Sequence, residues 1–329
     1  MSRVMGSTLL LLAVLINVGV PIAACSIFAA SVDGRSLFGS NVDDGNPHTY
    51  YEIVPAADDS TFGYITFGFN DPQGGLNEAG LAFDTNAVGE ASLAPHSELP
   101  RHPGGPIGIV RKILQTADTV DRALEIAEAY SWGDSLRNQW FFADSSGDAV
   151  VISAGSDGQL EFTRKPPGDG YLLSTNINRA GPVPVGFCWR YRTIDRMLHE
   201  HIGRGEISVA LFTEILDAAH QEAVFLRDGV LLNTVYSNIF DLESQEITLY
   251  YWFQFDSPLT LRLQEELAKG AQRVRIRDLF PATVVQEAAA IQAAHLERVE
   301  QLRVYPWLQT TLALCAIVST AVLALLRSR

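Results

Sequence analysis

Cysteine is scarce in this chain: its 329 residues hold three, Cys25, Cys188 and Cys315. They are too few and too far apart for a fold stapled by disulfides. Positive charge is also scarce, with 24 Lys and Arg against 38 Asp and Glu. The two apolar ends contain Arg3, Arg327 and Arg329 and no acid, so the stretch between them carries 21 cations against 38 acids, a net of −17. That field repels a nucleic-acid backbone and an anionic lipid surface, and neither is expected as a partner. Repeats and low-complexity segments are absent. The histidines (His48, His96, His102, His199, His201, His220 and His295) are scattered. His199 and His201 sit two apart, on different faces of a helix, so neither a metal nor another cofactor is expected.

What is present is globular composition, 47% hydrophobic and 19% charged, with two apolar ends. Residues 1–24 carry Arg3, an apolar stretch and small residues before Cys25, the pattern of a secretory signal peptide. Residues 307–326 form an uncharged run flanked by Arg303, Arg327 and Arg329, with Tyr305 and Trp307 at the expected interface. A helix of that length rises about 30 Å and crosses a bilayer. A buried core helix or a cleaved lipid-anchor signal are the alternatives. The expected organisation is a signal peptide over 1–24, an exported domain over 25–281, an amphipathic stalk helix over 282–304, and a membrane anchor with a basic tail over 305–329. The chain is thus expected to be a single-pass membrane protein with its domain outside the cytoplasm.

Within the domain, Ile27, Phe28, Leu37 and Phe38 flank the Asp33-Gly34 turn and predict a hairpin over 26–39. Short apolar runs follow at 64–69 and 80–83, and a second hairpin is predicted over 140–153 across Ser145-Ser146-Gly147-Asp148. Helical periodicity covers 107–117, 120–130, 188–201 and 209–223. Strands are expected at 234–240 and 247–252, a helix at 259–269, and a helix at 282–303 with Val284, Ala288, Ile291, Val299 and Leu302 near one face, interrupted by His295. The pattern indicates an α+β fold, antiparallel sheets covered by helices on their outer faces.

Cys25 is the candidate reactive residue. Cleavage after Ala24 would make it the first residue, with a thiol and a free α-amine whose ordinary pKa is about 7.7 to 8.0, suited to taking the thiol proton. Ile22-Ala23-Ala24-Cys25 also fits a bacterial lipobox, which would acylate the same residue and leave a tethered binding protein. A Cys25–Cys188 disulfide is a further alternative.

The residues after Cys25 bear on that choice. Ser26-Ile27-Phe28 and Asp33-Gly34-Arg35-Ser36-Leu37-Phe38-Gly39-Ser40-Asn41-Val42-Asp43-Asp44, then Gln73-Gly74-Gly75-Leu76-Asn77-Glu78-Ala79-Gly80-Leu81-Ala82-Phe83-Asp84, Leu173-Ser174-Thr175-Asn176, Trp189-Arg190-Tyr191 and Thr234-Val235-Tyr236-Ser237-Asn238 run in order along the domain. Together they resemble the choloylglycine hydrolase and penicillin V acylase family, linear-amide hydrolases of the N-terminal nucleophile superfamily. The resemblance implies a four-layer αββα sandwich and a cysteine amidohydrolase that cleaves a small-molecule N-acyl amide through an acyl-enzyme on Cys25. An acyltransferase using the same site is the alternative. It implies that Asp43 orients the cysteine amine or thiol, that Asn176 helps fix the amine and the oxyanion, and that Arg190 lowers the thiol pKa. Asn86 lies one residue out of the register of the family's oxyanion asparagine, so Asn86 or a neighbouring main-chain N–H takes that role. Ser40 departs from the arginine common in bile-salt hydrolases, which places this chain nearer the broader linear-amide branch. Tyr50, Tyr51, Phe67 and Phe69 could wall an acyl pocket or pack the core, and His220 could line the pocket or serve the fold.

Overall fold

The computed structural model describes residues 25–304 except 96, 223 and 226–230. The expected signal peptide and membrane anchor lie outside the described residues; among those described, no helix is long and apolar enough to cross a membrane.

The described chain forms two antiparallel sheets packed face to face. The first contains β1 (Ser26–Val32), β2 (Arg35–Asp44), β10 (Gly170–Ser174), β11 (Val224–Phe225), β12 (Leu231–Asp241), β13 (Glu246–Tyr251) and β14 (Leu259–Arg262), in the order β10-β1-β2-β12-β13-β14 with β11 beside β12. The second contains β3 (Tyr50–Val54), β4 (Tyr64–Gly68), β5 (Pro72–Asn77), β6 (Ala82–Ser92), β7 (Ser135–Ala143), β8 (Ala149–Ala154), β9 (Leu160–Arg164) and β15 (Gln272–Arg275), in the order β15-β3-β4-β5-β6-β7-β8-β9. Between the sheets lie Ile27, Phe38, Phe67, Phe141 and Phe240.

Each outer face is covered by two helices. Helices α1 (Gly105–Thr116) and α2 (Val120–Glu128) bury Ile109, Ile113 and Ile126 on Phe83, Trp140 and Phe142 of the second sheet. On the first sheet, α3 (Trp189–Ile202) and α4 (Val209–Ala219) bury Ile194, Leu198, Phe212 and Ile215 on Phe28, Leu37 and Ile239. The result is an αββα sandwich. Because both faces of the central strands are covered, β1 is buried at every position; its side chains alternate between the inter-sheet core (Ile27, Ala29) and the helix layer (Phe28, Ala30).

The β1–β2 hairpin turns where Asp33 and Gly34 take φ of 50° and 81°, the left-handed region that the Asp-Gly pair tolerates. The helix expected at 259–269 is a correction. Leu259–Arg262 is an edge strand registered on β13, Leu249 opposite Leu259 and Ile247 opposite Leu261, and only α5 (Leu263–Leu267) is helical. The alternation of leucine with Thr260 and Arg262 follows the period of a strand. The helix expected to reach residue 223 ends at Ala219, where His220 turns extended. Helix α6 (Ala282–Val304) lies against the domain through Val284, Ala288 and Ile291, with His295 buried further along the same stripe.

Candidate active site

Cys25 enters β1 at the end of the inter-sheet layer and is buried, 4% exposed. Four elements supply the network around it. β2 supplies Asp43, the segment after β10 supplies Asn176, the first turn of α3 supplies Arg190, and β6 supplies Asn86.

Arg190 ties three of these together. Its Nη1 donates to the Cys25 carbonyl oxygen at 2.6 Å and to Ser26 Oγ at 3.0 Å, and its Nη2 donates to Asn176 Oδ1 at 2.9 Å. The same Nη1 lies 3.7 Å from Asp43 Oδ2, an ion pair buried at both ends. Only a guanidinium fork reaches so many acceptors in fixed geometry. Asn176 turns its Nδ2 onto the Ala87 carbonyl at 2.8 Å, which links the first sheet to β6. Asp43 accepts from Thr234 Oγ1, its register partner on β12, beside a bulge between Thr234 and Tyr236. Thr234 in turn is clamped by Gln221, whose main-chain N–H donates to Thr234 Oγ1 at 2.8 Å.

Asn86 is oriented by a second chain of bonds. The Arg179 main-chain N–H donates to Gln139 Oε1 at 2.9 Å, which fixes Gln139 Nε2 to donate to Ser174 Oγ at 2.9 Å. The Ser174 hydroxyl is then left to donate to Asn86 Oδ1 at 2.6 Å. Asn86 Nδ2 is thereby a buried donor with no hydrogen-bond partner among the described residues. Ser174 pairs with Ile27, two residues from Cys25, so this donor stands in the layer that holds the thiol. A buried donor left unpaired costs about 1–3 kcal/mol, which an acceptor brought to it would recover.

The electrostatics oppose a resting thiolate. Burial, then the Asp43 carboxylate, push the Cys25 thiol well above its ordinary range; Asp84 acts in the same direction, while the Asp43 main-chain N–H and Arg190 act against them. Burial also pushes Asp43 up to about 7, against Arg190 and Thr234. Asp84, fully buried on β6, is likewise pushed up to about 7 by burial, against the Ser40 hydroxyl and the Thr85 N–H. Ser40 approaches the Asp84 carboxyl without reaching hydrogen-bond geometry, and Asp84 Oδ2 has no such partner. Gly74 faces Asp84 in register, and a Cβ there would come within 2.6 Å of Asp84 Oδ2, so only glycine leaves room for the carboxyl.

These shifts fix the sign of a pH effect. A carboxyl whose pKa rises from 3.8 unfolded to about 7 folded keeps its proton in the native state while the unfolded chain has lost it. Stability therefore falls as pH rises from about 4 to about 7. Asp84→Asn is expected to flatten that fall by up to a few kcal/mol, read as the urea midpoint at several pH values. An unchanged slope would refute the assignment.

Packing bears on several sequence expectations. Tyr51 and Phe67 lie in the inter-sheet core, 6.3 Å apart between ring centroids, and Phe67 stacks on Phe240 at 5.9 Å. Tyr50 lies half-buried under the Arg273 guanidinium and Phe69 packs against the core, so three of the four aromatics belong to the core. His220 accepts a place at the end of α4 and stacks on Phe253 at 5.1 Å. Cys25 and Cys188 are both free thiols, which removes the disulfide alternative from this structure. Among the described residues no group of His, Cys, Asp or Glu converges to hold a metal ion. Sequence reasoning missed Gln139, Thr234 and Asp84 as parts of the site. Gln139 was detectable as the polar residue entering the apolar run 140–143, at a position that alternation turns inward.

No protein-family model matches the chain, and no curated protein does. Solved structures do. A cysteine-to-alanine variant of conjugated bile acid hydrolase from Clostridium perfringens superposes with a TM-score of 0.58 at 12% identity, covering 76% of this chain and 96% of that one. An arginine-to-leucine variant of the same enzyme gives 0.56 at 15% identity, with the same coverage. Penicillin V acylase from Agrobacterium tumefaciens gives 0.52 at 13% identity, covering 69% of this chain and 83% of that one. The likeness is one of fold, and it falls on the two enzymes whose motifs the sequence resembles.

Proposed function

We propose that the chain is a cysteine amidohydrolase that cleaves a linear, non-peptide N-acyl amide through an acyl-enzyme on Cys25. The observation that supports it best is the Asn86 amide, oriented by Gln139 and Ser174 so that its Nδ2 is a buried, unpaired donor beside the Cys25 segment. A preorganised donor of this kind stabilises the oxyanion formed when a nucleophile attacks a carbonyl. Two of the solved enzymes with this fold are named for acting on conjugated bile acids and penicillin V.

In this reading, cleavage after Ala24 frees the Cys25 amine. The thiol, held protonated by burial and by Asp43, gives its proton to that amine and attacks the amide carbonyl. Asn86 Nδ2 receives the oxyanion, and Arg190 holds the Cys25 carbonyl and Asn176 in place. The amine then passes its proton to the leaving nitrogen, and water releases the acyl group. Residues 307–326 tether the domain outside the cytoplasmic membrane.

The test is release of free amine from a panel of N-acyl amides of varied acyl length by the purified full chain. Asn86→Ala is expected to lower kcat by roughly 10²–10³-fold with KM little changed. Unchanged turnover in that variant would remove Asn86 from the mechanism, and no amine release from any member of the panel would remove the proposal.

A further inference from the structure

Two aromatic side chains stand in solvent at the entry to α3. Phe187 is 73% exposed and Trp189 45%, with Val183 also exposed just upstream. All three fall within the seven residues before Arg190, the residue bonded to the Cys25 carbonyl. Residues 180–189 contain no charge. The segment is nonetheless held firmly. Phe187 N donates to the Pro184 carbonyl at 3.0 Å, Cys188 N to the Val185 carbonyl at 3.1 Å, and Arg192 Nη1 reaches the Gly186 carbonyl at 2.6 Å and the Phe187 carbonyl at 3.2 Å. The aromatic display is built into the backbone.

Helix α6 is held at the same end of the sandwich as Cys25. His295 Nδ1 lies 3.0 Å from Asn233 Oδ1, and the next residue, Thr234, bonds Asp43, the ion-pair partner of Arg190. From His295 the helix continues to Val304, and only Tyr305 and Pro306 separate it from the uncharged run at Trp307. Nine helical residues and three further links reach at most roughly 25 Å. If residues 307–326 span a bilayer, its surface lies within that reach of His295, at the end of the domain that carries Cys25.

We propose that Phe187 and Trp189 form an apolar rim seated on the outer face of that bilayer, and that the site takes a membrane-resident N-acyl amide through it rather than a substrate from bulk water. This rests on the amidohydrolase reading above and names its substrate class. Exposed aromatic residues on a fixed loop suit the interfacial region of a membrane, where an apolar ring and a polar edge are both satisfied. The excess of acid in the domain selects a neutral, zwitterionic surface over an anionic one.

The experiment uses the full chain in phosphatidylcholine vesicles. In a Trp307→Phe background Trp189 is the exposed tryptophan, since Trp132, Trp140 and Trp252 are buried. Brominated phosphatidylcholine is expected to quench its emission, with the effect lost in Trp189→Phe; absence of quenching overturns the rim. In parallel, Phe187→Ser with Trp189→Ser is expected to raise KM roughly tenfold or more for a long-chain N-acyl amide embedded in the vesicles. Turnover of a short-chain, water-soluble N-acyl amide should be unchanged. Equal losses on both substrates, or no loss on either, overturn the route through the membrane. If the unsubstituted chain hydrolyses neither substrate, the amidohydrolase reading falls, and with it the substrate class, while the quenching result still decides whether the rim meets lipid.

Discussion

Replacing Cys25 by alanine is expected to lower amide hydrolysis by roughly 10⁴–10⁶-fold while the protein still folds. The magnitude follows from removing a nucleophile, which leaves only oxyanion stabilisation and binding to accelerate the reaction. The fold survives because the thiol sits at the edge of the inter-sheet layer, where the loss of one sulfur costs about 1 kcal/mol or less. The Arg190 bond goes to the Cys25 carbonyl, not to its side chain, so the surrounding network remains. Cys25→Ser should fall between the two, since the hydroxyl is the weaker nucleophile while the α-amine is retained. Hydrolysis by Cys25→Ala at more than about a hundredth of the original rate would place the chemistry elsewhere.

Loss of Arg190 should be the most damaging single change to stability. Arg190→Met leaves Asp43 buried without its cation and frees the Cys25 carbonyl, Ser26 Oγ and Asn176 Oδ1 from their donor. Removing one partner of a buried ion pair costs about 3–5 kcal/mol. Asp43 can escape part of that cost by taking up a proton, because burial already pushes it up to about 7 and Arg190 is what opposes that rise. The variant should therefore be less impaired at pH 5 than at pH 8, and Arg190→Met with Asp43→Asn should recover much of the loss at pH 8. Arg190→Lys should not rescue activity, since one ammonium cannot reproduce the fork across four groups. Chemical denaturation of the four proteins at both pH values checks this; equal losses at pH 5 and pH 8 would contradict the pairing.

Much of this architecture was legible in the sequence where local chemistry decides structure. The first hairpin followed from Asp33-Gly34 between apolar pairs, and the second from the turn at residues 145–148 between runs that become β7 and β8. The segment 259–262 was misread because short apolar runs do not separate strand from helix without knowing that the edge of β13 is free to pair. The site divides in the same way. Cys25, Asp43, Asn176 and Arg190 were marked by motif order, and the structure brings them together within one bonded network.

Asn86 stood one residue out of the register of the family's asparagine, and the sequence alone did not show which way its amide is held. Gln139 lies opposite it on β7 and makes the orientation explicit. Thr234, Gln139 and Asp84 could not be assigned roles from sequence, since their partners are Asp43, Ser174 and a facing glycine, the first and last brought near by strand pairing and Ser174 by the packing of one sheet on the other. Ser40 acquires a physical context in the same way: it stands beside the Asp84 carboxyl, so this corner of the inter-sheet layer is acidic.

The central claim is that Cys25 is a free N-terminal nucleophile. The most direct measurement is intact and peptide mass spectrometry of the membrane-purified protein, with and without a thiol-reactive probe. The account predicts a mature chain that begins at Cys25, bears an unmodified amine, and gains the probe at that residue. A lipid-modified Cys25, a retained segment before it, or a Cys25–Cys188 disulfide as the main species would contradict it.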